Sequence, residues 1–403
     1  MRVRHRVGYA AALVAASLIP ACSGGPGDGV TADRLAAEAT SPGAATATTV
    51  PRRPSASATR TAAVPTPQRP PSDRTRMRPV GVVRGAISPK SVVATPGGLV
   101  FAQNMMYRHT VTVYDRARRL VRTIDDTVDL AAYGLGRGRV RGAPVEAAVS
   151  PDGRHVYVSN YSMYGPGYGP EGSDSCSPAS GYDDSLVYRI DVARLRIDQV
   201  IPVGAVPKYL TVTPDGRQLL VSNWCSYSVS VVDLRSGRES ARIPVGAYPR
   251  GLAVDPSSRT AYVAVMGGGS IAVLDLRRRA VVRTIGGIGS GPRHLVLSPD
   301  GRKLWVTLNG SARVLRLGLP SGAVEGSVAT GAAPRTMAAA PDGRSLYVVN
   351  YESDTVSKVR ASDLAVLQTV GTDHHPIGVT VDPGTGAVWV ASYAGSIWVY
   401  AER

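Results

Sequence analysis

The sequence predicts an all-β fold: a seven-bladed β-propeller over residues 79–403, with four-stranded blades and the seventh blade closed by an N-terminal strand. Three observations carry this reading. A proline recurs at positions 89, 144, 207, 249, 292, 334 and 376, so the repeat settles at about 42 residues, the length of four short strands with their turns. An alternating strand follows each proline, as in Tyr209-Leu-Thr-Val-Thr213, and then a turn that reads Pro-Asp-Gly at 151–153, 214–216, 299–301 and 341–343, residues suited to tight reversals. The chain also holds 44 Gly and 30 Pro but a single Phe among 403 residues, too many breakers for a helical bundle.

The N-terminus reads as an address. Arg2, Arg4, His5 and Arg6 precede an apolar run from Val7 to Ile19 and then Pro20-Ala21-Cys22, the order of an export signal over residues 1–21. That run is shorter than the roughly 20 residues a membrane-spanning helix needs. Cys22 after Ile19-Pro20-Ala21 resembles a bacterial lipobox, with Pro20 departing from the usual residue there. The resemblance implies lipidation of Cys22; plain cleavage after Ala21 is the alternative. Residues 22–78 are rich in Ala, Thr, Pro, Ser and Arg without apolar periodicity, and are expected to form a disordered tether.

Within each repeat a second strand follows the turn, for example Val156-Tyr-Val-Ser-Asn160, Leu219-Leu-Val-Ser-Asn223 and Leu346-Tyr-Val-Val-Asn350. A third follows, as in Ser228-Val-Ser-Val-Val-Asp233, and a fourth closes the unit. The last repeat ends after its third strand, while Pro79-Val-Gly-Val-Val-Arg84 precedes the first proline. Pairing the two would seal the ring and remove both sheet edges. The second-strand motif Tyr157-Val-Ser-Asn160 and Tyr347-Val-Val-Asn350 resembles that of the YVTN-type propeller repeat family, over roughly residues 80–403. The resemblance implies the fold more than an activity, since seven-bladed propellers include lactonases, lyases, haem enzymes and binding scaffolds.

Departures from the repeat should share one rim. Residues 125–141 lengthen the crossing from blade 1 to blade 2, and 161–185 enlarge the loop between strands 2 and 3 of blade 2. Insertions on one face of a repeat protein point to a binding face. The second carries Tyr161, Tyr164, Tyr168 and Tyr182 with Glu171, Asp174, Asp183 and Asp184; a ligand-contacting lid without regular structure is expected, the acids matching no known calcium loop. Cys176 in this insertion and Cys225 in the equivalent loop of blade 3 remain once Cys22 is set aside. A disulfide between them is expected in an exported chain, with free thiols as the alternative.

The formal charge is +16, which favours acidic or phosphorylated partners. The residue after each repeat proline is Lys90, Val145, Lys208, Arg250, Arg293, Arg335 and Ile377. Pseudo-rotation should gather the five cations at one mouth of the central channel, where they would bind an anion or pair with neighbouring acids and carbonyls. Tyr164, Tyr168 and Trp224 join them as candidate ligand contacts. Nucleic acid is disfavoured by export despite Tyr209, Tyr248 and Trp224.

The sequence has no Cys-x-x-Cys-His, Gly-rich phosphate loop or zinc-spaced Cys/His set, so no cofactor and no metal are expected on the main reading. Ser298-Pro-Asp-Gly-Arg-Lys-Leu-Trp305 superficially resembles a sialidase Asp-box but reads as a turn. His294, His374 and His375 are the candidate acid–base groups, with Glu146 or Glu352 as companion. His375-Pro-Ile-Gly378 resembles the streptogramin lyase repeat, which implies a metal-assisted elimination. The main expectation is a monomeric, exported, lipid-anchored scaffold in the cell envelope, binding an envelope protein or an anionic ligand. The alternative is a lyase or lactonase-like hydrolase using the rim histidines with a divalent metal.

Overall fold

A computed structural model describes residues 69–169 and 174–403. The export signal, Cys22, most of the tether and Glu171 lie outside the described residues. The described chain forms seven antiparallel sheets in a ring. Blade 1 runs through Pro89–Ala94, Val100–Asn104, Thr110–Tyr114 and Leu120–Asp125, and the other blades repeat that order. No helix among the described residues is long and apolar enough to cross a membrane.

Alternating side chains make each blade apolar on both faces, and neighbouring blades bury those faces together. Phe101, Val111 and Val113 of blade 1 meet Val156, Val158 and Ile190 of blade 2. Ile271 and Ile285 of blade 4 meet Leu304 and Leu317 of blade 5 in the same way. A buried cluster occupies every one of the seven junctions. The core is therefore a set of wedges between blades, and a lone blade has nothing to pack on.

The ring closes as expected: Met77–Arg84 pairs antiparallel with Ser396–Glu402 and completes blade 7. The ordered body starts earlier than residue 79, however. Met77 is buried, and Gln368 grips its backbone at both ends, accepting from the Met77 N–H at 2.8 Å and donating to its carbonyl at 3.0 Å. Ser72–Arg74 forms a 3-10 turn, and Ser72 donates from both N–H and hydroxyl to Asp342. Lys358, fully buried, donates to the Thr75 carbonyl and to Glu402. These contacts correct the tether boundary at 78: residues from at least 69 onward belong to the folded body.

The insertions also have more structure than their Gly and Pro content implies. Thr127–Asp129 pairs with Arg139–Arg141, and the first strand of blade 2 runs on as Arg139–Val149 beside His155–Tyr164. Both insertions thus build a single extension of blade 2, which becomes five-stranded.

Candidate functional site

Backbone geometry puts the repeat cations at the mouth. The ladder between strands 1 and 2 slips by one residue just after the repeat proline in every blade. A bulge of this kind takes one residue out of the ladder and re-aims its side chain. In blades 1, 3 and 5 the residue passed over is Lys90, Lys208 or Arg293 itself. Hydroxyls of preceding blades fix the backbone there: Ser222 donates to the Arg250 carbonyl at 2.6 Å and Thr307 to the Arg335 carbonyl at 2.9 Å.

Lys90, Lys208, Arg250, Arg293 and Arg335 together line a cavity of about 780 Å³. Val145, from the non-cationic repeat of blade 2, lines it as well, while Ile377 is fully buried. The alternatives of pairing and binding both occur, on different residues. Lys90 donates to Glu146 Oε1 at 3.1 Å, and Lys208 is paired with Asp174 of the insertion. Arg250, Arg293 and Arg335 have no ion-pair partner among the described residues. Arg250 lies 5.9 Å from the Trp224 ring and Arg335 stacks at 3.5 Å over Tyr351, and the Arg335 Nε is buried without a hydrogen-bond partner.

Burial, followed by the fields of Arg250 and Arg335, pushes Arg293 well below its ordinary value. Arg250 is lowered by burial too, with Glu146 opposing and Arg335 contributing. A guanidinium does not release its proton in practice, so these directions record the burial and mutual repulsion of charged groups, partly offset by Glu146. Burial also raises Tyr393 to about 12, against the opposing pull of Arg335.

A second ring was missed at the sequence level. The residue just after strand 2 is Met105, Trp224, Met266, Asn309, Tyr351 or Tyr393 in blades 1 and 3–7, and Tyr161 holds the equivalent place inside the longer strand of blade 2; Met105, Tyr161, Trp224, Met266 and Tyr393 line the same cavity as the cations. Its backbone is pinned to the segment that leads into the repeat proline of the same blade. The N–H groups of Trp224, Met266, Asn309, Tyr351 and Tyr393 donate to the carbonyls of Val206, Tyr248, Gly291, Ala333 and His375, each the residue before a repeat proline and each at positive φ. The same 42-residue period that revealed the cations would have revealed this ring.

The lid is held by the expected disulfide. Cys176 and Cys225 are bonded, with Cα atoms 5.3 Å apart. Trp224 Nε1 donates to the Asp174 carbonyl at 3.0 Å and the Tyr227 hydroxyl to the Cys176 carbonyl at 2.9 Å. Asp174 is thereby placed against Lys208, whose amine also lies 4.0 Å from the Tyr161 ring centre. The other insertion acids are used separately: Asp183 accepts from the Gly169 N–H and Asp184 binds Arg242 through both oxygens.

Tyr164 and Trp224 line the cavity, but Tyr168 does not. It is half-buried against Val128, Leu130 and Val140, because the paired insertions form a small core of their own. None of the three candidate histidines lines the cavity. His294 is buried, with Nε2 3.1 Å from the Tyr209 hydroxyl and Nδ1 unpartnered. Burial, then Arg250, Arg293 and Lys90, lowers it to about 3. It is neutral at physiological pH and a weak base. His374 and His375 do not face apart as neighbours on an extended strand would, since His375 is at φ 57° and the two rings stack at 3.5 Å. His374 binds Asp354, and His375 stacks on Tyr351 near Glu352. The one three-residue group of metal-ligating type among the described residues is His155, Asp191 and Asp198, which includes no rim histidine.

Comparison with known proteins bears on the fold. Residues 109–240 match the family model described as Lactonase, 7-bladed beta-propeller. That span is a minority of the chain, and the matching model is a related propeller type rather than the YVTN repeat. No curated protein sequence matches the chain. Among solved structures, a chain of the hydrazine synthase of Kuenenia stuttgartiensis is similar, with a TM-score of 0.62 at 21% identity, covering 79% of this chain and 96% of that one. At that identity the likeness concerns the propeller fold.

Proposed function

We propose that the mouth cavity binds an organic anion, its acid group at the cation ring and its apolar or aromatic part against the ring of Met and aromatic side chains. The observation that carries this reading is the set of three guanidinium groups, Arg250, Arg293 and Arg335, facing the cavity without an ion-pair partner among the described residues. Arginine forks suit carboxylate and phosphate, and a low-dielectric cavity strengthens the attraction. The ligand class follows from the two rings together: charge at one level, polarizable surface at the next.

The test is thermal unfolding with increasing oxalate, phosphate or phenyllactate against chloride at matched ionic strength. A ligand at 100 times its Kd stabilises by about 2.7 kcal/mol, a readily measured rise in Tm. The Arg250→Gln/Arg293→Gln/Arg335→Gln variant is expected to lose that rise. An unresponsive wild type, or an equal rise in the variant, overturns the reading.

A lactonase-like hydrolase is the second reading, favoured by the family match over residues 109–240. A hydroxy-acid product would present the carboxylate that such a mouth holds. Turnover of lactones, inhibited by EDTA and lost in His375→Ala, would support a metal-assisted version; turnover insensitive to both would place the chemistry away from His375.

The setting proposed is the cell envelope, with Cys22 as a lipid anchor and the propeller a monomeric scaffold. A buried disulfide supports an oxidising compartment. Metabolic labelling with a fatty acid, lost in Cys22→Ser, tests the anchor.

A further inference from the structure

Lys90 has a chemistry that anion binding does not use. Its side chain is 5% exposed yet lines the cavity, and its amine lies 3.1 Å from the buried Glu146 carboxylate. Burial lowers Lys90 to about 7, with Glu146 opposing and the charges of Arg250 and Arg293 adding to the effect. An ordinary lysine near 10.4 is almost wholly protonated at neutral pH, whereas an amine near 7 is neutral about half the time. Desolvation beside other cations is a recognised way to make a lysine nucleophilic.

We propose that Lys90 condenses reversibly with a 2-oxo acid whose carboxylate is held by Arg250 and Arg293, forming an imine in the cavity. The inference rests on the anion-binding reading above. The amine nitrogen attacks the carbonyl carbon, and the C=O π pair moves to oxygen. Glu146 takes a proton from the nitrogen and returns it to the carbinolamine oxygen. Glu146 then carries the remaining nitrogen proton to the hydroxyl, the C–O bond breaks with its pair leaving as water, and the nitrogen lone pair completes C=N. Water is the only by-product, and no oxidant or reductant is needed.

Lys208 is the competing amine. Burial lowers it as well, with Arg250 contributing and Asp174 opposing. Its nitrogen, however, is bound by Asp174 and covered by the rings of Tyr161 and Trp224 at 4.0 and 5.2 Å. That surrounding favours a cation over a free lone pair.

The experiment incubates the full chain with phenylpyruvate and sodium cyanoborohydride, then maps the reduced adduct by peptide mass. Lys90, Lys208, Lys303 and Lys358 are the lysines that can carry it, and peptide mass separates them from one another and from the α-amine. Labelling of Lys90 is expected to run at least about 10-fold faster than at any other lysine, because Lys303 and Lys358 do not line the cavity and the Lys208 amine is held by Asp174 under two aromatic rings. Phenyllactate, which keeps the acid and ring but lacks the carbonyl, should compete. Glu146→Gln should slow labelling while a circular dichroism melt confirms that the variant folds. Stabilisation by phenyllactate without adduct at Lys90, or with equal adduct at Lys208, overturns the imine while leaving anion binding intact. Absence of both stabilisation and adduct overturns the two together. Rapid labelling of Lys90 that phenyllactate does not slow refutes the assigned carboxylate site.

Discussion

At the scale of single residues, a position repeated by pseudo-symmetry takes on different duties in different blades. The residue after the repeat proline is a lysine with a carboxylate partner in blades 1 and 3, and in blades 4, 5 and 6 an arginine without one among the described residues. The gathering of these five cations was legible because equivalent positions in a ring share a height. Their pairing was not, since Glu146 and Asp174 come from another strand and from an insertion outside the repeat. The histidines were legible as rim residues, whereas the burial that lowers His294 was not, because it depends on neighbours in space. Lys90 gives a pH prediction at this scale. Its value is about 7 in the fold against 10.5 unfolded, so between those values the unfolded chain binds more protons and stability rises with pH. The difference in unfolding free energy between wild type and Lys90→Met/Glu146→Gln should therefore climb from pH 7 towards 10.5 and be flat just below 7. A flat difference across the whole window contradicts a neutral amine.

At the scale of elements, the insertions and the blade junctions carry the argument. The two insertions lie apart in sequence, so nothing local announced that Thr127–Asp129 would pair with the extended first strand of blade 2. The disulfide was legible from cysteine number and loop equivalence. It closes a loop of 49 residues, for which a stabilisation of about 4 kcal/mol is typical. Cys176→Ser/Cys225→Ser should lose stability on that order, expose the lid to limited proteolysis and weaken anion binding, as Asp174 and Trp224 lose their anchor. Retention of protease resistance would show the lid held by its hydrogen bonds alone. Gly251 marks a second requirement. A Cβ there would lie 2.7 Å from the Arg293 carbonyl oxygen and 2.8 Å from the His294 Cα, both on the neighbouring blade's backbone. Gly251→Ala should cost about 1–3 kcal/mol by overpacking, measured by urea unfolding, and should shift Arg293 within the mouth.

At the scale of the whole molecule, closure decides everything else. The seven-fold repeat and the orphan strand were readable because the period is regular. The reach of the seal back to residue 69 was not, since Ser72, Thr75 and Met77 sit in a polar stretch whose partners, Asp342, Lys358 and Gln368, are more than 250 positions away. Lys358→Met leaves Glu402 buried without its ammonium partner and should destabilise by about 3–5 kcal/mol; an unchanged melting curve would mean the N-terminal segment does not contribute to the seal.

The pairing of Met77 with Glu402 has a consequence for how the molecule comes into being. Met77–Arg84 must wait, unpaired, until Ser396–Glu402 has been synthesised, and contacts this remote in sequence form slowly. During that interval blade 7 has a raw edge and its junctions with blades 1 and 6 are unfinished. A chaperone that shields one β-strand for the duration of synthesis would have its binding target in Met77–Arg84.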